Sequence, residues 1–144
     1  DNVGALYRNA AAFGAGAVLL DDRSADPLYR KAIRVSMGHA LIMPCAERVP
    51  ARELLAGVAR AGFVSWAATP RVSARDLGEM LQARSVIPPR IAIVVGSEGE
   101  GLDEEILSAA DLEVRIPMAM GVDSLNVATA AAVVAFAINA MRWA

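Results

Sequence analysis

Residues 127–141 constrain the fold most. Their only polar side chains are Thr129 and Asn139; the rest are Ala, Val, Ile, Phe and Met. A helix that is apolar nearly all round is buried in a core or against a partner. Fifteen helical residues rise about 22 Å, short of the hydrocarbon thickness of a bilayer. Just upstream, a strand-like segment over 112–116 stops at Pro117, and a loop then presents Ser124 and Asn126. Two small hydrogen-bonding side chains ahead of a buried helix mark a place to look for a ligand. Asn126 also sits where an N-cap would sit, so a plain cap is the alternative.

Taken in order, the chain alternates helices and short apolar strands. Asn2 suits an N-cap for a helix over 3–13, with Gly14 as terminator. A buried strand over 15–20 runs into the polar loop 21–27. A helix over 28–37 closes at Gly38, and a strand over 40–43 stops at Pro44. Pro50 fits the first turn of a helix to Ala61, followed by Gly62 and a strand over 63–67. Ser73 with Asp76 resembles a capping box opening a helix to about Arg84. The run Arg90-Ile-Ala-Ile-Val-Val95 is the strongest strand, followed by Gly96-Ser-Glu-Gly-Glu-Gly101 and a helix over 102–109. Such alternation predicts an α/β domain, a mostly parallel sheet flanked by helices. The 144 residues fit one domain, 1–144. Because the chain opens at a helix rather than a strand, a first strand, or a whole preceding domain, is expected to lie ahead of residue 1.

Composition narrows the function. The hydrophobic fraction is 56% and the mean hydropathy +0.40, much of it helical Ala, with no run of membrane length. No signal-peptide pattern opens the sequence. A single Cys and a single His argue against a disulfide framework or a His-cluster metal site, so the expectation is a cytoplasmic protein without metal. The net charge of −2 gives no global pull toward nucleic acid. Charge is uneven, however: residues 1–72 hold nine basic and six acidic side chains, and residues 73–144 hold five and ten. The densest basic spot, Arg30-Lys31-Ala32-Ile33-Arg34, reads as a solvated helix face or as a phosphate contact.

Ligands of open α/β sheets bind beyond the carboxyl ends of the strands, which singles out the loops 67–71, 96–101 and 117–126. The glycines of the second loop let the backbone approach a ligand closely. That loop is not a P-loop, because Leu102 stands where Lys is required, and Glu104 breaks the dinucleotide fingerprint. Acidic residues 103–105 would repel a phosphate, which points to a neutral or cationic ligand. Arg8 reads as an exposed helix arginine or, if it faces the ligand loops, as a fork suited to a phosphodiester. His39 and Cys45 read as structural.

Three stretches together resemble the SpoU/TrmH-type RNA 2′-O-ribose methyltransferases of the SPOUT superfamily. They are Asn2-Val-Gly-Ala-Leu-Tyr-Arg8-Asn-Ala-Ala-Ala-Phe-Gly14, Ile93-Val-Val-Gly96-Ser-Glu98-Gly-Glu-Gly101-Leu, and Ile116-Pro-Met118 through Ser124-Leu-Asn126-Val-Ala. They stand in the family's order and span nearly the whole chain. The resemblance implies an α/β fold with a C-terminal deep trefoil knot, a departure from the rule against threaded chains. It implies S-adenosyl-L-methionine as cofactor, held by Gly96, Ile116 and Leu125 with Thr69 and Met118 nearby, and a tRNA or rRNA substrate. It further implies a homodimer through the C-terminal helix, which would account for the apolar surface of 127–141.

For chemistry, the resemblance implies Arg8 as the catalytic residue, supported by Asn2, Glu98, Ser124 and Asn126. A guanidinium is a poor proton acceptor, so binding of the neighbouring phosphate and stabilisation of the developing alkoxide suit Arg8 better. Two alternatives stand beside this expectation. One is a non-catalytic module of the same fold that holds RNA or cofactor; the other is an unrelated small-molecule α/β enzyme, which rests on architecture alone.

Overall fold

A computed structural model describes residues 1–97 and 99–143. The chain forms two compact units, Asp1–Leu54 and Leu55–Ala144.

In the first unit, helix α1 (Asn2–Ala12) precedes strand β1 (Val18–Asp21), helix α2 (Arg30–Val35), a 3-10 turn (His39–Leu41) and strand β2 (Cys45–Val49). β1 and β2 pair in parallel, with Val18 opposite Cys45. Their small core is Tyr7, Leu20 and Ala40, with Val3, Val18 and Met43 against it. Gly4 lets α1 and α2 touch backbone to backbone. A Cβ there would lie 2.6 Å from the Ala32 carbonyl oxygen and 2.9 Å from Val35 Cβ. Ser36, fully buried, ties α2 to the 3-10 turn: its hydroxyl donates to Ile33 O (2.9 Å) and accepts from Ala40 N (3.2 Å).

Helix α3 (Ala51–Arg60) crosses from the first unit into the second. There follow strands β3 (Val64–Ala68) and β4 (Arg75–Asp76), helix α4 (Leu77–Gln82), strand β5 (Ile91–Val94), helix α5 (Glu104–Ala109), strand β6 (Leu112–Arg115) and helix α6 (Val127–Trp143). The sheet order is β4-β6-β3-β5, and every pairing is parallel. Trp66 and Val114 point from adjacent strands into a core completed by Leu77 and Met80 of α4 and Val134, Ala137, Ile138 and Met141 of α6. Burying a Trp and several aliphatic side chains at about 1.5–3 kcal/mol each is the main stabilisation of this unit. Ser65 and Asp111 lock the register of β3 and β6. The Ser65 amide and hydroxyl both donate to Asp111 Oδ2 (2.7 and 2.9 Å), and the Asp111 amide donates back to Ser65 Oγ (3.0 Å).

Several sequence expectations need correction. The strand expected at 40–43 is a 3-10 turn, and the strand lies at Cys45–Val49. Pro44 precedes the strand instead of ending one, and its carbonyl accepts from Val18 N as the β1–β2 ladder begins. Asp76, rather than Ser73, caps α4: its Oδ1 accepts from Gly78 N and Glu79 N (2.8 and 3.2 Å). Asn2 is the first residue of α1 and Asp1 its N-cap. Helix α6 is not enclosed all round, since Val133, Phe136 and Trp143 are exposed. No helix among the described residues is long and apolar enough to cross a membrane.

Candidate functional site

Because β3, β5 and β6 run parallel in one sheet, the loops that leave them emerge along one carboxyl edge. Those loops carry Thr69, Gly96 and the segment 116–126. The three loops singled out in the sequence are therefore brought to one edge of the second unit.

The loop after β3 is held from two sides. Thr69 N donates to Val114 O (2.9 Å) and Thr69 Oγ1 accepts from Arg71 N (3.4 Å). The Arg71 guanidinium forms a two-pronged ion pair with Glu104 at the start of α5 and reaches Glu113 of β6 at 3.8 Å. This bonding raises the Arg71 pKa and lowers that of Glu104. The acidic start of α5 is thus partly neutralised by an arginine 33 residues away. No fixed spacing signals that contact; only the packing of α5 beside the β3 loop creates it.

The loop after β5 folds tightly on itself. Ser97 and Gly101 form an antiparallel bridge, and Gly101 N donates to Ser97 O (3.1 Å). A Cβ on Gly96 would sit 2.2 Å from Gly101 C and 2.3 Å from its oxygen, so no other residue fits. Gly99 and Gly101 have φ of 95° and 71°, in the left-handed region that glycine tolerates. Glu98 lies outside the described residues.

The third loop crosses above α4. Pro117 packs so close to Gly78 that a Cβ there would be 3.2 Å from Pro117 Cγ. Arg115 anchors the loop's start, pairing at 2.6 Å with Asp76, the cap of α4. Its end is anchored by Asn126, whose Oδ1 accepts from Ala128 N and Thr129 N (3.0 and 3.2 Å). Both readings of Asn126 place it here, and the cap is formed. Between the anchors, one backbone hydrogen bond joins groups of the loop among the described residues, Val122 N to Ala119 O (3.1 Å). Ile116 and Met118 are half-buried, whereas Ser124, Leu125, Met120 and Val122 are exposed. Main-chain groups beside apolar side chains can hold a flat, partly apolar ligand that reads the backbone.

Asn2 and Arg8 belong to the first unit. Asn2 is half-buried; Arg8 is exposed, in no ion pair among the described residues. Arg8 follows Gly4 by four residues, so it lies one turn along the side of α1 that packs on α2. Its neighbour Tyr7 is fully buried. Burial, with the Cys45 thiol alongside, pushes the Tyr7 hydroxyl up from its ordinary pKa. No hydrogen bond of good geometry from the described residues reaches that oxygen, so Tyr7 serves as a packed core side chain that fixes the rotation of α1.

Comparison with known proteins gives the following. Residues 1–136 match the model of the SpoU rRNA Methylase family. The chain is 48% identical over 132 residues to an uncharacterized tRNA/rRNA methyltransferase of Mycobacterium tuberculosis, covering 92% of this chain and 45% of that protein. Among solved structures it resembles an RNA 2′-O ribose methyltransferase, with 34% identity, a TM-score of 0.82, and 99% of this chain and 52% of that one covered. It also resembles an AdoMet-bound rRNA methyltransferase from Sinorhizobium meliloti, with 29% identity, a TM-score of 0.79, and coverage of 99% and 51%. The chain spans about half the length of the curated relatives it matches.

Proposed function

Since the chain belongs to the SpoU rRNA methylase family, we propose that it serves an RNA methyltransferase that moves a methyl group from S-adenosylmethionine to a ribose 2′-hydroxyl of tRNA or rRNA. The observation that carries this reading is the gathering of the Thr69, Gly96 and 116–126 loops at one carboxyl edge of a parallel sheet.

Bound there, S-adenosylmethionine supplies an electrophilic methyl on a sulfonium. The residues fit such a ligand: Ile116, Met118 and Leu125 offer apolar contact, Thr69 and the loop backbone offer hydrogen bonds, and Gly96 keeps the turn closed. Neutral groups and nearby carboxylates tolerate a cationic sulfur better than a bare phosphate. Arg8 takes the RNA side of the reaction. Its guanidinium binds the phosphate next to the target ribose and stabilises negative charge on the 2′-oxygen. Ser124 orients the ribose, and Asn2 and Glu98 support Arg8 and the glycine loop. Asn126 is a positioning residue: its cap ties Ser124 and Leu125 to the start of α6.

The same reading gives the segment after β6 the knotted path of the family. It is supported by the place of β6 between β3 and β4 and by the close approach of Pro117 to Gly78. It also gives α6 a second copy of the chain as partner, supported by the exposed Val133, Phe136 and Trp143 at spacings of three and seven along one stripe.

Replacement of Arg8 by Ala tests the chemistry. Turnover on RNA should fall by about a hundredfold or more, with calorimetric affinity for S-adenosylmethionine unchanged. Near-normal turnover removes Arg8 from the reaction. Cofactor binding by the wild-type protein with no transfer to any RNA would identify a binding module.

A further inference from the structure

Residues 28–42 of the first unit are used neither by its core, apart from Ala32, Ser36 and Ala40, nor by the site described above. Leu28, Tyr29, Met37, Leu41 and Ile42 are each more than half exposed. Arg30, Lys31 and Arg34 are exposed among them. Ala32 and Val35 face Gly4 of α1. The i, i+4 pair Arg30 and Arg34 therefore shares the side of α2 turned away from α1. Neither arginine is in an ion pair among the described residues, whereas Lys31 pairs with Asp1 at 2.7 Å. From residue 28 to residue 46 the sequence holds Arg30, Lys31, Arg34 and His39 and no Asp or Glu.

An apolar protein partner would need the exposed hydrophobic side chains but not the uncompensated cations. A polyanion needs the cations, and a polyanion with exposed aromatic bases uses both. We propose that the outer face of α2, with Tyr29, Arg30 and Arg34 at its centre and the apolar 3-10 turn packed against it, docks single-stranded or looped RNA. Arg30 and Arg34 bind successive phosphates, and Tyr29 stacks on an unpaired base. The proposal rests on the RNA-modifying function above and adds to it the surface that receives the substrate outside the reacting centre.

The test uses the full chain and two probes, a fluorescein-labelled 12-nucleotide single-stranded RNA and bulk bacterial tRNA, with binding measured across a salt series. R30E/R34E should bind both about tenfold or more weakly. Its log–log salt slope should be shallower by about 1.4, the loss of two phosphate contacts on a single strand. Y29A should weaken binding about fivefold without changing the slope, and Y29W should restore it. The reference is R60E/R84E, which makes the same charge change on exposed arginines of the second unit. Equal losses in the two double variants, or an unchanged slope in R30E/R34E, would overturn the α2 surface while leaving RNA binding intact. No RNA binding by the wild-type chain would remove the RNA reading along with the surface. Sedimentation with phosphatidylglycerol vesicles that R30E/R34E abolishes, with RNA binding unaffected, would assign the face to a lipid surface and also overturn it.

Discussion

Replacing Gly96 with Ala is the sharpest probe of the glycine loop. The added methyl would sit 2.2 Å from Gly101 C, 2.3 Å from Gly101 O and 2.5 Å from Leu102 N. All three are backbone atoms, so no rotamer change relieves the overlap. Ordinary contact needs more than 1 Å of extra separation, which means opening the turn. Residues 97 and 99–101 are exposed, so the turn can open without disturbing the core. The stability lost is then the Gly101–Ser97 hydrogen bond, about 1 kcal/mol, plus residual strain of similar size. For a chain of this length about 2 kcal/mol lowers Tm by roughly 5 °C. A ligand held by the edge of that turn should suffer more, because a displacement near 1 Å can cost on the order of a hundredfold. Calorimetry with S-adenosylmethionine is therefore expected to show Kd raised by about ten- to a hundredfold. Gly62→Ala is the matched control: its φ is also positive, at 79°, but its nearest neighbour is a flexible Arg90 nitrogen at 3.7 Å. It should lower Tm by a few degrees and leave Kd alone. Unchanged affinity in Gly96→Ala, with the Tm loss present, would refute the placement of the cofactor against this turn.

Two further outcomes follow from the geometry. Gly4→Ala drives a methyl into the Ala32 carbonyl at 2.6 Å and should destabilise the first unit by about 1–3 kcal/mol; hydrogen exchange should then show faster amides in α1, β1 and β2 with β3–β6 unchanged. Asp111 is held below the ordinary carboxylate pKa, first by the Ser65 amide and then by its hydroxyl. A depressed pKa contributes stability that is complete above the unfolded value near about pH 4 and is lost as pH falls through the folded value. Asp111→Asn should accordingly lower stability at neutral pH and make the loss below about pH 4 shallower; parallel wild-type and variant curves would contradict this.

The architecture was legible where pattern and punctuation agree. The run at residues 90–95 became β5, and the Ala- and Val-rich segment became α6 with Asn126 as its cap. Both are long or strongly patterned, so local preference and tertiary packing point the same way. β2 was missed because Cys-Ala-Glu-Arg-Val carries two charges and lacks a continuous apolar run. It is mostly exposed and pairs with a single strand, so nothing forces it to be hydrophobic. The two-residue strand β4 exists only through its pairing with β6, and no local signal could announce it.

The candidate loops were legible as glycine, small polar residues and prolines at the ends of strands. Their shared edge depends on sheet order, which a sequence leaves open. The Arg71 clasp to Glu104 and Glu113 was not legible, since its members lie on three separate elements. Nor was the exposure of Val133 and Phe136, because an all-apolar helix gives no sign of which stripe the sheet will cover.

The most direct measurement is the position of the transferred methyl. RNA incubated with the full-length protein and S-adenosylmethionine carrying a deuterated methyl would be digested to nucleosides and resolved by mass spectrometry. Label on the ribose of one nucleoside species, as a 2′-O-methyl group, is the predicted result. Label on a base, or none on tRNA or rRNA despite measurable cofactor binding, would contradict it.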